Sequence, residues 1–382
     1  MEERNSKLDC LFVFVSIGPH HRAQINDCSR FLRCGLIQVA DAEPNYPWTD
    51  EVPIASERAT LSKRIPESRE EIRQVLTHFG DLLQEWRPSV VFHGGCYDRP
   101  VMRALARETV NRGCASILIS ESTYADHPRN LWREMAKRFV LRGLYHGAIC
   151  AGTRSLEYLN RLGFSDSTIW QGHGAVEDQH FARGASEARA RKDYYRERLQ
   201  LPSRYVLCVA RHAPEKNIDT LLNAFAGVHR QDPTLSLVLC GSGPLTEQLR
   251  DQSGKLGILD NVHFKGWVTY SDLPYVYGLA AVTVLPSISE PWGLVVNESL
   301  SSGTPVIVSD ACGCAPDLVR RGVSGYAFSP GDSGQLESLL RRLLSEGLGP
   351  EVIEQCQSVA TAWSLRNRTR GFVDCVLSHR QT

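Results

Sequence analysis

Short apolar runs alternate along the chain with segments whose apolar positions recur at helical spacing. Residues 11–16, 90–93, 116–120, 148–151 and 168–170 read as strands in the first half. Residues 205–210, 235–240, 262–264, 282–285 and 306–309 do so in the second. None alternates with period two, which is the pattern of parallel strands covered on both faces. Between them, residues 218–229 place Ile218, Leu221, Leu222, Phe225 and Val228 on one stripe, as an amphipathic helix does. Strand–helix repetition in both halves predicts an α/β protein of two doubly wound, Rossmann-like domains.

The length of 382 residues suits two domains of roughly 150–200 residues each. The expected division is 1–180, a linker at 181–203 where the sequence turns polar and charged, 204–350, and a helical tail at 351–382. Residues 45–68, rich in proline and charge, read as a long loop. The apolar run after Lys7 reads as a first buried strand rather than a signal segment, because Glu2, Glu3 and Asp9 spoil the required charge pattern. No apolar run is long enough to span a membrane.

Lys+Arg and Asp+Glu balance at 43 each, which argues against a nucleic-acid binder. The twelve cysteines form no CxxC pair, so they read as core residues of a protein in a reducing, cytoplasmic compartment. Residues 129–142 gather Leu131, Trp132, Met135 and Phe139 near one stripe with Arg and Lys elsewhere. Such a helix is able to lie on anionic lipid at the inner membrane face, but its commoner use, and the expectation here, is to pack that stripe inward.

The chemistry concentrates in the second half. The 205–210 strand runs into Arg211-His212-Ala213-Pro214-Glu215-Lys216-Asn217, beyond the carboxyl end where open α/β sheets bind ligands. Two cations beside a helix N-terminus make a diphosphate site; the alternative is a surface Arg and a Lys paired with Glu215. Gly241-Ser242-Gly243-Pro244 ends the next strand, permitting either close ligand approach or an ordinary tight turn. The full dinucleotide fingerprint GxGxxG is missing, which counts against an NAD enzyme. Ser289-Glu290-Pro291-Trp292-Gly293-Leu294-Val295-Val296-Asn297-Glu298 then puts Glu290 in a loop and Glu298 about two turns into a helix. A carboxylate at Glu290 can accept from sugar hydroxyls, and the free N–H groups of Gly293, Leu294 and Val295 can hold phosphate; the alternative is Glu290 as a simple helix-start acid and Glu298 as a solvent-facing residue. Trp292 is grouped with them as a donor contact.

In this order the segments resemble the family 4 retaining glycosyltransferases of the GT-B fold. The resemblance runs from Ala210-Arg211 through Gly241-Ser242-Gly243-Pro244, Val262-His263-Phe264-Lys265-Gly266-Trp267, the Glu290–Glu298 segment and Gly303-Thr304-Pro305 to Gly322-Val323-Ser324-Gly325-Tyr326. It covers residues 204–345 closely and the first half loosely. It implies two Rossmann-like domains facing a cleft, an N-terminal one for the acceptor and a C-terminal one for the donor, with a C-terminal helix returning to the first. By the same resemblance Arg211 and Lys216 bind the donor diphosphate, Glu298 the ribose hydroxyls and Glu290 the transferred sugar. The Gly266-Trp267-Val268 turn would meet the base through its backbone.

The family's glycine pair after the first strand is replaced by Gly18-Pro19-His20-His21-Arg22. Gly18 is still able to approach phosphate, and His20, His21 and Arg22 are candidates for the acceptor side. Asp126, His127 and Arg129 join them from beyond the 116–120 strand, as does His173 from Gly172-His173-Gly174. Glu121 is a candidate nucleophile or acceptor base. The expected reaction moves a sugar from a nucleotide-diphosphate-sugar to an acceptor hydroxyl in glycan, polysaccharide or glycoconjugate biosynthesis. The acceptor is a glycan, a lipid-linked molecule or a small molecule. Retention comes from the resemblance, and no metal is expected because no DxD-type motif lies beside the donor site. The competing readings are a nucleotide-sugar epimerase or hydrolase and a non-catalytic nucleotide-sugar-binding protein.

Overall fold

The computed structural model describes residues 7–41, 57–126 and 129–380. The chain divides into two compact units, Met1–Tyr124 with Pro128–Ala175 and Leu365–Thr382, and Ala125–His127 with Val176–Ser364.

Among the described residues the first unit holds a seven-stranded sheet. Its strands are β1 (Cys10–Phe14), β2 (Cys34–Ala40), β3 (Glu57–Ser62), β4 (Val90–His93), β5 (Ala115–Ser120), β6 (Gly147–Cys150) and β7 (Ile169–Gln171). They lie in the order β3-β2-β1-β4-β5-β6-β7, every neighbouring pair parallel. Strands β1, β2 and β4 are buried along their whole length, which accounts for their continuous apolar character. The C-terminal helix Leu365–Ser378 completes this unit: Phe372 packs 5.5 Å from Phe12 and 5.1 Å from Phe92, ring centre to ring centre. Arg368, 5% exposed, donates to the His173 carbonyl at 3.1 Å and to that of Ala151, tying the helix to the ends of β6 and β7.

The second unit holds a six-stranded sheet of β8 (Tyr205–Val209), β9 (Ser236–Cys240), β10 (Val262–Gly266), β11 (Val282–Leu285), β12 (Val306–Ser309) and β13 (Gly325–Phe328). The order is β10-β9-β8-β11-β12-β13, again wholly parallel. The stripe of helix Ile218–His229 is buried as the periodicity predicts.

Several expectations need correction. Residues 57–62, inside the stretch expected to be a loop, form β3; the rest of that stretch up to residue 56 lies outside the described residues. Strand β3 is an edge strand, exposed or half-buried throughout, so its Glu, Arg, Thr and Ser residues carry no apolar signal. The polar stretch expected to be a linker is helical, Asp178–Ala190 followed by Lys192–Leu199, and belongs to the second unit. Its glycine explains the packing: a Cβ on Gly184 would stand 2.5 Å from the Pro274 side chain of helix Leu273–Leu279. The tail divides as well, helix Pro350–Thr361 going with the second unit and Leu365–Ser378 with the first.

Candidate functional site

In the second sheet the strand order reverses between β8 and β11, because successive strands step outward in opposite directions from that pair. Beyond the carboxyl ends of such a pair lies the usual ligand crevice of an open α/β sheet. The loop after β8 carries Arg211 and Lys216, and the loop after β11 carries Glu290 and Gly293. Backbone groups join the two loops: the Ile288 N–H donates to the Glu215 carbonyl at 2.9 Å, and Asn217 Nδ2 donates to that of Pro286 at 3.1 Å. Lys216 Nζ stands 2.5 Å from Glu290 Oε2, the two side chains being only 20% and 13% exposed. Ser287 Oγ donates to the same carboxylate oxygen at 3.3 Å. Arg211 pairs with Glu215 at 2.5 Å. Of the two cations, therefore, Arg211 takes the neighbouring acid while Lys216 reaches across to the next strand's loop. Lys216 also acts on Glu215 electrostatically, but its close contact is with Glu290.

Gly293 has φ of +104°, a left-handed value that disfavours any side chain, and it opens helix Leu294–Ser301. Leu294 and Val295 occupy the first turn of that helix. Glu298 is the fifth residue of the helix, little more than one turn in rather than two. Its carboxylate accepts from Tyr277 Oη at 2.7 Å. Burial among protein atoms pushes the Glu298 carboxyl up to about 7, although the Tyr277 bond pulls the other way and one edge of the residue stays open to solvent.

Gly241 and Gly243 face neighbouring backbone: added Cβ atoms would stand 2.1 Å from the Ala210 oxygen and 2.5 Å from that of His212. Close approach is thus needed to fit the loop after β9 against the loop after β8. Gly266, at φ +67°, ends β10, and Trp267 beyond it is half exposed with Val268 half-buried. Trp292 is a correction. Its side chain is 1% exposed, donates from Nε1 to Asn297 Oδ1 at 2.9 Å and stacks on Trp363, so it serves as core beneath the site and not as a donor contact.

In the first sheet the order reverses between β1 and β4. Gly18 caps helix Pro19–Cys28 after β1, its N–H donating to His21 Nδ1 at 3.1 Å. The His20 and His21 rings lie 3.9 Å apart, and His173 stacks 6.3 Å from His21. These three histidines, with Phe12, Phe14 and Phe372, line a small cavity. His173 Nε2 is 2.6 Å from Glu121 Oε1, so Glu121, His173, His20 and His21 form one cluster. Burial, reinforced by repulsion from His173, lowers His20 to about 4, and burial with its two histidine neighbours holds His21 well below its ordinary value. Near neutral pH those two rings are uncharged hydrogen-bonding groups.

Arg22 and Asp126 are buried at 4% and 7% exposure. His127 lies outside the described residues. The Arg129 guanidinium is taken up locally, donating to the Tyr124 carbonyl at 3.0 Å and to Tyr158 Oη at 2.9 Å, so it braces its own loop instead of facing an acceptor. The helix Leu131–Leu144 also departs from expectation, with Leu131, Trp132, Met135 and Phe139 turned outward. Sequence reasoning missed Tyr277 and Ser287, which hold the two site carboxylates. Tyr277 falls on the apolar face of a short helix and carries no separate signal; Ser287 lies within the segment that carries the resemblance, where no role was given to it. Among the described residues no group of three or more His, Cys, Asp or Glu is placed to hold a metal.

Residues 192–362 match the family model described as glycosyl transferases group 1. The alpha-D-kanosaminyltransferase of Streptomyces kanamyceticus is 29% identical over 171 residues, 44% of this chain and 43% of that protein. A GDP-mannose-dependent alpha-(1-6)-phosphatidylinositol monomannoside mannosyltransferase of Mycobacterium tuberculosis is 31% identical over 201 residues, 49% of this chain and 50% of its own. The chain thus spans half or less of the length of these curated relatives. The crystal structure of Anabaena Alr3699/HepE in complex with UDP superposes with a TM-score of 0.75 at 15% identity, covering 97% of this chain and 99% of that one. At that identity the likeness is one of fold, and the fold is GT-B.

Proposed function

We propose that this chain, whose residues 192–362 match the model of the glycosyl transferases group 1, transfers a hexosyl-type sugar from a nucleoside-diphosphate-sugar to an acceptor hydroxyl with retention of configuration. The observation that carries the reading is the Lys216–Glu290 contact, which joins a cation and a sugar-type carboxylate across the strand reversal of the second sheet. Lys216 and Arg211 stabilise the departing diphosphate, with the N–H groups at the start of helix Leu294–Ser301 adding to the positive field. Glu290 accepts from the hydroxyls of the transferred sugar. As the bond from the anomeric carbon to the phosphate oxygen breaks, the acceptor oxygen bonds to that carbon on the same face. The acceptor proton passes to the departing phosphate oxygen. These cations supply the charge that the leaving group needs, so the proposal calls for no metal.

Glu298 receives the ribose hydroxyls. Hydroxyls donate, so the site needs the carboxylate and not the acid. With the Glu298 carboxyl raised to about 7, nucleotide binding must displace a proton below that pH and none above it. Affinity is therefore expected to rise as pH increases through about 7, and the Glu298→Gln variant to lose that dependence; calorimetric titration at several pH values checks both.

The first unit provides the acceptor side through Glu121, His173, His20 and His21. The proposed location is cytoplasmic with peripheral contact at the inner membrane face, where a lipid-linked acceptor would be met. Twelve free cysteines support a reducing compartment, and no helix among the described residues is long and apolar enough to cross a membrane. The test is mass-spectrometric analysis of donor and products with and without an acceptor panel. Transfer requires that donor loss depend on acceptor and yield a glycosylated product. Donor conversion without acceptor would instead make the chain a hydrolase or epimerase.

A further inference from the structure

We infer that the outward face of helix Leu131–Leu144 is a docking surface for a lipid bilayer carrying anionic headgroups. The inference names the surface behind the proposed peripheral contact and rests on that contact, but not on the transfer chemistry.

The helix has two apolar faces, and only one is used by the fold. Leu141 and Leu144 are buried. Beside them, Lys137 Nζ donates to Tyr158 Oη at 2.5 Å, and that hydroxyl donates to Glu134 Oε2 at 2.7 Å. These four positions share one side of the helix and fix it to the first unit. On the opposite side Leu131 is 75% exposed, Trp132 77%, Met135 61% and Phe139 85%. At 3.6 residues per turn those four fall within about one third of the circumference, a continuous apolar stripe centred opposite the packed side. Soluble surfaces show single large apolar residues; a Trp and a Phe two helical turns apart on one stripe and this exposed mark an interaction surface.

The charges select that partner. Arg138 borders the Leu131 edge of the stripe and Arg142 lies just inside it, both exposed, while exposed Arg133 falls next to the packed side. The helix's carboxylate, Glu134, is turned inward and accepts from Arg129 at 3.3 Å as well as from Tyr158. The outward face therefore presents apolar side chains with cations along one edge, and no acid. A layer with an apolar interior beneath anionic headgroups matches both features, since long Arg side chains reach the headgroups while Trp and Phe enter below them. A second copy docked face to face would set arginine edges against arginine edges.

The test is flotation of the full chain with vesicles of phosphatidylcholine containing about one third phosphatidylglycerol, a composition that supplies the anionic surface at issue. Wild type is expected to float with these vesicles, to bind pure phosphatidylcholine far less, and to be released by salt. The double variant Trp132→Ser/Phe139→Ser should lose about tenfold or more in partition coefficient. Replacing Arg138 and Arg142 with Gln should cost about fivefold per charge on anionic vesicles. All these side chains are exposed, so unchanged thermal midpoints are expected of the variants. Quenching of wild-type fluorescence by brominated lipid, lost in Trp132→Phe, gives an independent readout of insertion. If the variants float as wild type does, the docking surface lies elsewhere and the inference falls while peripheral contact stands. If wild type binds no vesicle, or forms a dimer that Trp132→Ser/Phe139→Ser disperses, both fall.

Discussion

Lys216→Ala is expected to lower kcat/KM for the donor by about 10²–10³-fold, the loss seen when one preorganised charge facing a leaving group is removed. Two effects combine. The departing diphosphate loses a cation held in a largely buried position, and Glu290 loses the partner that orients its carboxylate 2.5 Å away. Glu290→Ala should act on the same order, because Lys216 keeps its charge for the diphosphate but the sugar loses its hydrogen-bond acceptor. The double variant should cost little more than the worse single one, as expected of residues that act as a unit. Lys216→Arg keeps the charge but not the compact ammonium, and should recover part of the loss. Initial rates on a verified donor measure all four, and rates for both Ala variants within threefold of wild type would remove Lys216 and Glu290 from the mechanism.

Gly241→Ala is expected to destabilise the second unit by about 3 kcal/mol, a drop of roughly 6–12 °C in its unfolding midpoint. At φ +119° an alanine is strained in any surroundings, and here its Cβ would stand 2.1 Å from the Ala210 carbonyl oxygen. That oxygen cannot retreat without opening the ladder in which the Ala210 N–H donates to the Cys240 carbonyl at 3.0 Å. Gly266→Ala is the control. It also has a left-handed φ, +67°, but nothing lies within 4 Å of its added Cβ, so it should cost only about 1 kcal/mol. Calorimetric unfolding separates the two. A Gly241→Ala protein that unfolds like wild type but fails to bind nucleotide would mean that the glycine serves ligand approach instead of loop packing.

How far sequence reasoning reached depends on what surrounds each residue. Strands β8 and β11 were legible because both are buried, and their ends place Lys216 and Glu290 in loops at a ligand-binding edge. Sequence spacing could not show that the loops meet; the strand order that puts β8 beside β11 does. Edge strand β3 escaped notice because a strand without two covered faces needs no apolar run. Trp292 was misplaced because its neighbour Glu290 faces the site while the chain turns its own ring into the core. The helix Leu131–Leu144 shows a further limit of periodicity. An apolar stripe at helical spacing looks the same whether it meets a core or a bilayer, and only the exposure of Trp132 and Phe139 tells them apart. The cluster of His20, His21, His173 and Glu121 is assembled from the start of helix Pro19–Cys28 and the segments after β5 and β7, a convergence that no local motif records.

The most direct test of the donor site is calorimetric titration of the full chain with UDP, GDP, ADP and TDP at pH 8 in the presence of a chelator. The account predicts that one of these binds without metal, that Lys216→Ala and Glu298→Ala each weaken it at least about tenfold, and that Trp292→Phe leaves it unchanged. Absence of binding by all four nucleotides, or equal affinity in wild type and both Ala variants, would contradict the assignment of the second unit as a nucleotide-sugar site.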